Sequence, residues 1–72
     1  MIKVYGKNNC PNCNRIKKTL ESIGVEFEYI KDDIVLMEIA KDLYSKGKLI
    51  ETTAPIVLVD GEQILHRDIQ KL

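Results

Sequence analysis

Gly6-Lys7-Asn8-Asn9-Cys10-Pro11-Asn12-Cys13 is the stretch from which the fold of this 72-residue chain is read. Two cysteines separated by two residues can close a disulfide with little backbone movement, and the chain has no others. Proline directly after the first cysteine suits the first position inside a helix, where its missing N–H leaves no donor unpaired. Cys10 then falls at the N-cap, beneath the free backbone N–H groups and the positive end of the helix dipole. Such a setting lowers a thiol's pKa from the value of about 8.5 of a free cysteine, and the thiolate is the nucleophile of disulfide exchange.

Upstream, Ile2-Lys3-Val4-Tyr5 alternates and is rich in β-formers, which predicts a short strand. Gly6, Asn8 and Asn9 make the connection to Cys10 a loop. Downstream, Cys13, Ile16, Leu20 and Ile23 follow at spacings of three, four and three, one apolar stripe of a helix that Gly24 ends. The stripe makes the two sulfurs unequal. Cys13 lies on the buried face and Cys10 at an exposed cap, so Cys10 is expected to attack and Cys13 to resolve.

Val25-Glu26-Phe27-Glu28-Tyr29 alternates again, and strand, helix and strand predict a right-handed βαβ unit with parallel strands. Asp32 or Asp33 caps a second helix with Leu36, Ile39, Ala40 and Leu43 facing inward, ended by Gly47. Residues 48–53 have no period and read as a loop. Ile56-Val57-Leu58-Val59 is a continuous apolar run suited to a strand covered on both faces. Asp60-Gly61 is a two-residue hairpin signal, so 62–65 return antiparallel. Residues 67–72 allow a helical turn or two, with Ile69 and Leu72 inward. The expected order is β-α-β-α-β-β-α, an α/β chain with helices packed on one sheet and a single domain over 1–72.

Composition narrows the function. Hydrophobic residues make up 44%, enough for one core, and 11 basic residues balance 11 acidic ones. A nucleic-acid surface would need a basic excess or patch. No apolar run approaches the roughly 20 residues of a membrane span, and no basic segment followed by an apolar one marks a secretory signal. The expected setting is the reducing cytoplasm, where a Cys-x-x-Cys pair is catalytic or metal-binding more often than a permanent staple. As a staple it is poor, since closing four residues contributes only about 2 kcal/mol in the loop-entropy picture. Structural zinc wants four Cys or His ligands, and Cys10, Cys13 and His66 supply three at most, so no metal site is assigned. Lys7 suits either a solvated loop charge or attraction of an anionic substrate beside Cys10. Thr53 suits either a local bond to the loop backbone or a place against substrate. His66 reads as a surface or partly packed residue rather than a proton donor. Tyr5, Phe27, Tyr29 and Tyr44 fit core or rim positions without chemistry.

The segment from Tyr5 to Cys13 resembles the active-site region of glutaredoxins. Thr53-Ala54-Pro55-Ile56 resembles that family's Thr-Val-Pro segment, and Val59-Asp60-Gly61 the hairpin that follows it. The resemblance extends to the short glutaredoxin-like electron donors of ribonucleotide reductase. It implies a thioredoxin-like fold with one four-stranded mixed sheet, and thiol–disulfide oxidoreduction through a Cys10/Cys13 dithiol cycle. It also implies a cis peptide before Pro55, facing the disulfide; from the residues alone, Pro55 would be an ordinary trans residue opening a strand. Ala54 would then offer backbone N–H and C=O groups to a bound peptide or to glutathione. Lys7 matches the basic residue near the glycyl carboxylate of glutathione, and Asp68 the acidic residue that pairs with its amino group; Asp68 equally suits a cap for the last helix.

By the same resemblance no cofactor is bound permanently, and glutathione is the co-substrate. Glutathione or a thioredoxin-type reductase donates electrons to the chain, acting as a monomer, and a disulfide-bearing protein such as ribonucleotide reductase accepts them. Asn12 departs from the family, which often has an aromatic residue there, and is kept among the substrate-binding positions. Leu65 and His66 stand where a Gly-Gly pair usually lets backbone approach the γ-glutamyl end, and their side chains crowd that approach. The alternative reading is a module without dithiol activity that binds a metal or an iron–sulfur cluster, since clusters bridged through glutathione thiolates between two chains are known in the family.

Overall fold

The computed structural model describes all residues from Met1 to Leu72. Strand β1 (Ile2–Gly6) is followed by α1 (Pro11–Ile23), β2 (Phe27–Lys31), α2 (Asp33–Ser45), β3 (Ile56–Val59), β4 (Glu62–Ile64) and a closing 3₁₀ helix (His66–Lys71). The sheet order is β2-β1-β3-β4. β1 runs parallel to β2 and antiparallel to β3, and β4 returns antiparallel beside β3. The expected thioredoxin-like mixed sheet is the observed one.

Period-two alternation on the central strands sends neighbouring side chains to opposite faces. Val4 and Val57 pack on one face with Ile16 and Leu20 of α1 and with Ile69. Tyr5 and Ile56 pack on the other with Leu43, where Leu36, Ile39 and Ala40 of α2 add half-buried cover. Helices on both faces explain why β3 is apolar at every position.

The helix ends follow local chemistry. Gly24, at φ 86°, takes the left-handed conformation that closes α1, its N–H donating to the carbonyls of Leu20 and Glu21. Of the two candidate caps for α2 it is Asp32 that serves, its Oδ1 accepting from the N–H groups of Ile34 (2.9 Å) and Val35 (3.3 Å). Asp60 and Gly61 both have positive φ, 51° and 86°, as a tight two-residue hairpin requires. The Met1 ammonium, by its hydrogen bond and its charge, holds the Asp60 carboxyl below the usual carboxylate range.

Several boundaries differ from expectation, β1 running on through Gly6 and β2 through Lys31. β2 starts at Phe27, two residues late, because its ladder is set by β1, from Ile2↔Phe27 to Gly6↔Lys31. β4 stops at Ile64, and Leu65 becomes the N-cap of a 3₁₀ helix that begins at His66. Leu72 lies beyond the last turn and is 38% exposed rather than inward, whereas Ile69 is fully buried. No helix is long and apolar enough to cross a membrane.

Candidate active site

Cys10 is the N-cap of α1, in extended backbone at φ −119° and ψ 101°, with Pro11 in the first turn. A disulfide joins Cys10 to Cys13, their Cα atoms 5.2 Å apart. The Cys13 N–H donates to Cys10 Sγ at 3.2 Å, and the Asn14 N–H donates to the Cys10 carbonyl at 3.3 Å. The first sulfur thus sits in the hydrogen-bonding position that a side-chain oxygen takes at most helix starts. No acidic residue stands in the first turn of α1 to oppose a negative charge there. Asn9 turns the chain into the helix at φ 53°, a left-handed conformation that asparagine tolerates better than most residues. Asn8 N–H donates to Asp33 Oδ1 at 3.3 Å, which ties this loop to the start of α2.

The expected exposure of Cys10 is corrected. It is 8% exposed, against 0% for Cys13, so both sulfurs are sheltered and only the order holds. Cys10 lines a hollow of about 250 Å³ together with Lys7, Asn12, Thr53 and Ala54. Thr53 and Ala54 of the loop before β3 share that hollow with Cys10, neighbours with no signature within the tetrapeptide itself.

Behind the pair, the sheet leaves almost no room. A Cβ on Gly6 would lie 2.7 Å from Tyr29 Oη and 3.2 Å from Cys13 Sγ. Gly6 is therefore the last residue of β1 rather than a turn residue, and its missing side chain seats both neighbours. Gly6→Ala is expected to cost about 1–3 kcal/mol by overpacking. Tyr29→Phe in that background should recover part of the loss, because the nearest atom is gone; urea unfolding of the four forms checks this.

The loop facing the disulfide is held by side chains. The Ala54–Pro55 peptide bond is cis, as the family resemblance implied. Gln63 of β4, 8% exposed, accepts from Ile50 N–H at 2.9 Å and donates to the Glu51 carbonyl at 2.8 Å. His66 Nε2–H donates to the Pro55 carbonyl, while its backbone N–H donates to Glu51 Oε2 at 3.2 Å. Its other ring nitrogen lies 3.5 Å from Glu51 Oε1. Glu51, Gln63 and His66 together tie down both ends of the segment that brings Thr53 and Ala54 to the hollow beside Cys10. The sequence reading assigned His66 no such role, took Gly6 for a loop residue, and did not single out Glu51 or Gln63; only spatial neighbours reveal what these residues do.

Of the residues expected at the site, Lys7, Cys10, Asn12, Thr53 and Ala54 come together around one hollow. Pro55 is buried beside it and Cys13 is sealed behind. Asp68 does not line that hollow and forms an ion pair with Lys71 at 3.5 Å. No group of three His, Cys, Asp or Glu side chains is placed to hold a metal ion.

The glutaredoxin family model matches residues 2–64. The chain belongs to the glutaredoxin family. It is 30% identical to glutaredoxin 3 of Escherichia coli over 63 residues, which cover 88% of this chain and 72% of that protein. Over 34 residues it is 44% identical to the glutaredoxin-like protein NrdH of Salmonella typhimurium, a match that spans 47% of this chain and 42% of the relative. The solved structure of the glutaredoxin-like NrdH-redoxin of Escherichia coli superposes with a TM-score of 0.69 at 28% identity, covering 99% and 92% of the two chains. Glutaredoxins are thiol–disulfide oxidoreductases that typically use no permanent cofactor, and this glutaredoxin-family chain is such an oxidoreductase.

Proposed function

We propose that this chain is a two-electron carrier that reduces protein disulfides, with Cys10 as nucleophile and Cys13 as resolving thiol. The observation that carries the reading is the Cys13 N–H on Cys10 Sγ at the start of α1. In the reduced chain that N–H donates to the Cys10 thiolate, and the helix dipole favours the same charge. The thiolate attacks one sulfur of the substrate disulfide, forming a mixed disulfide and releasing the other sulfur as thiolate. Cys13, one helical turn on, then attacks Cys10 Sγ. The Cys10–Cys13 bond forms, the second substrate thiolate leaves, and two electrons have passed to the substrate. Lys7, Asn12, Thr53 and Ala54 hold the substrate segment, with the Ala54 backbone pairing to it in extended conformation beside Pro55.

A thioredoxin-type reductase is the main electron source in this reading, and a ribonucleotide reductase is a fitting acceptor, with the carrier working as a cytoplasmic monomer. NrdH-redoxin, which has a thioredoxin-like activity profile, covers almost the whole chain and supports that choice. Glutathione is the weaker donor: Asp68, its expected amino-group partner, is engaged with Lys71, and Leu65 and His66 are not glycines. Glutathione titrated into the oxidised, isotope-labelled chain is expected to shift the amides of Lys7 and Ala54 weakly and leave Asp68 in place. Saturating shifts at all three would make glutathione the principal donor.

A further inference from the structure

A second hollow, of about 240 Å³, lies between α1 and the 3₁₀ helix on the far side of Asn12, which lines both it and the hollow over Cys10. Arg15 and Arg67 line it. It continues into a shallower depression of about 410 Å³ along α1, where Lys18 joins Arg15. No carboxylate lines either depression. The four ion pairs of the chain engage Met1, Lys46, His66 and Lys71, so Arg15, Lys18 and Arg67 are all unpaired and exposed. The formal net charge of the chain is zero, so this is a local segregation of positive charge and not a general excess.

We propose that this groove docks an acidic segment of the protein substrate, next to the cysteine whose disulfide Cys10 attacks. The inference rests on the oxidoreductase reading above and names the substrate class for the same site. Asn12 belongs to both hollows, so a polypeptide crossing the disulfide enters the groove without leaving the surface. Three cations on a chain of zero net charge fall short of the basic footprint that tracks a phosphate backbone. They suit a few carboxylates, which an arginine fork binds in bidentate fashion. Arg15 is five residues into the helix from Cys10, about 7.5 Å along its axis. Extended chain rises about 3.3 Å per residue, so the acidic side chains begin about two residues from the substrate cysteine.

The test uses the full chain, chemically reduced beforehand so that no electron donor enters the measurement. Two disulfide peptides of equal length are compared, one with four glutamates starting two residues from its cysteine and one with glutamines there. The readout is the second-order rate constant for loss of the chain's thiols. Exposed ion pairs contribute roughly 1.5- to 5-fold each, so the acidic peptide is expected to react about tenfold faster at low salt. In 1 M salt the Debye length falls to about 3 Å and the preference should vanish. The triple variant Arg15→Gln, Lys18→Gln, Arg67→Gln should lose the preference at low salt while reducing the glutamine peptide at the wild-type rate. Equal rates for the two peptides in the wild type, or a preference that survives in the triple variant, overturn the acidic groove. Failure of the wild type to reduce either peptide would instead sink the oxidoreductase reading.

Discussion

Cys10→Ser is expected to lower disulfide reduction on the order of a thousandfold or more, because a serine hydroxyl is un-ionised at neutral pH and no base beside it activates it. Cys13 cannot substitute as attacking group, being wholly buried behind its partner. Cys13→Ser should behave differently. Its first step survives, since the N–H that faces Cys10 Sγ belongs to the backbone and not to the Cys13 side chain. The chain then stalls as the mixed disulfide, visible as a mass increase by one substrate half. Cys10→Ser should show no adduct. Equal rates in wild type and Cys10→Ser would remove Cys10 from the chemistry, and an adduct on Cys13 would reverse the two roles.

The second large effect is on stability. Leu20 is fully buried between α1 and the sheet, among Val4, Ile16, Val57 and Ile69. Leu20→Ala removes three carbons and leaves a cavity, at a cost of about 2–5 kcal/mol. A chain of this size has only about 4–11 kcal/mol of total stability at ordinary per-residue values. The midpoint of thermal unfolding should therefore fall by on the order of 10–30 °C. Ile34→Ala, at a position 68% exposed on α2, is the control and should change stability by less than about 0.5 kcal/mol. A comparable loss at both positions would mean that the core is not where the burial pattern puts it.

Local chemistry made much of this legible in advance. Cys10-Pro11, the stripe through Leu20 and the stop at Gly24 each state a helix rule within a few residues, and α1 obeys all of them. Asp60-Gly61 did the same for the hairpin. Failures came where a partner decides. β2 alternates from Val25, but its bonded length follows β1; Cys10 looks exposed from its own segment but is buried, and residues more than 40 positions later share its hollow. Gly6 reads as a turn residue because its tightest neighbour in space, Tyr29, is distant in sequence. Gln63 and Glu51 gave no signal at all, for a buried amide and its loop partner have no period or spacing. The cis Ala54–Pro55 bond was foreseen from family resemblance alone.

The unequal shelter of the two sulfurs also bears on oxidative damage. Peroxide reaching the reduced chain meets Cys10 first, because Cys13 has no accessible surface. The sulfenic acid formed there has a thiol one turn away, which condenses with it to the disulfide and releases water. Hypochlorite or peroxide stress should accordingly park this carrier in a recoverable oxidised form, rather than drive it up to the irreversible sulfinic and sulfonic acids.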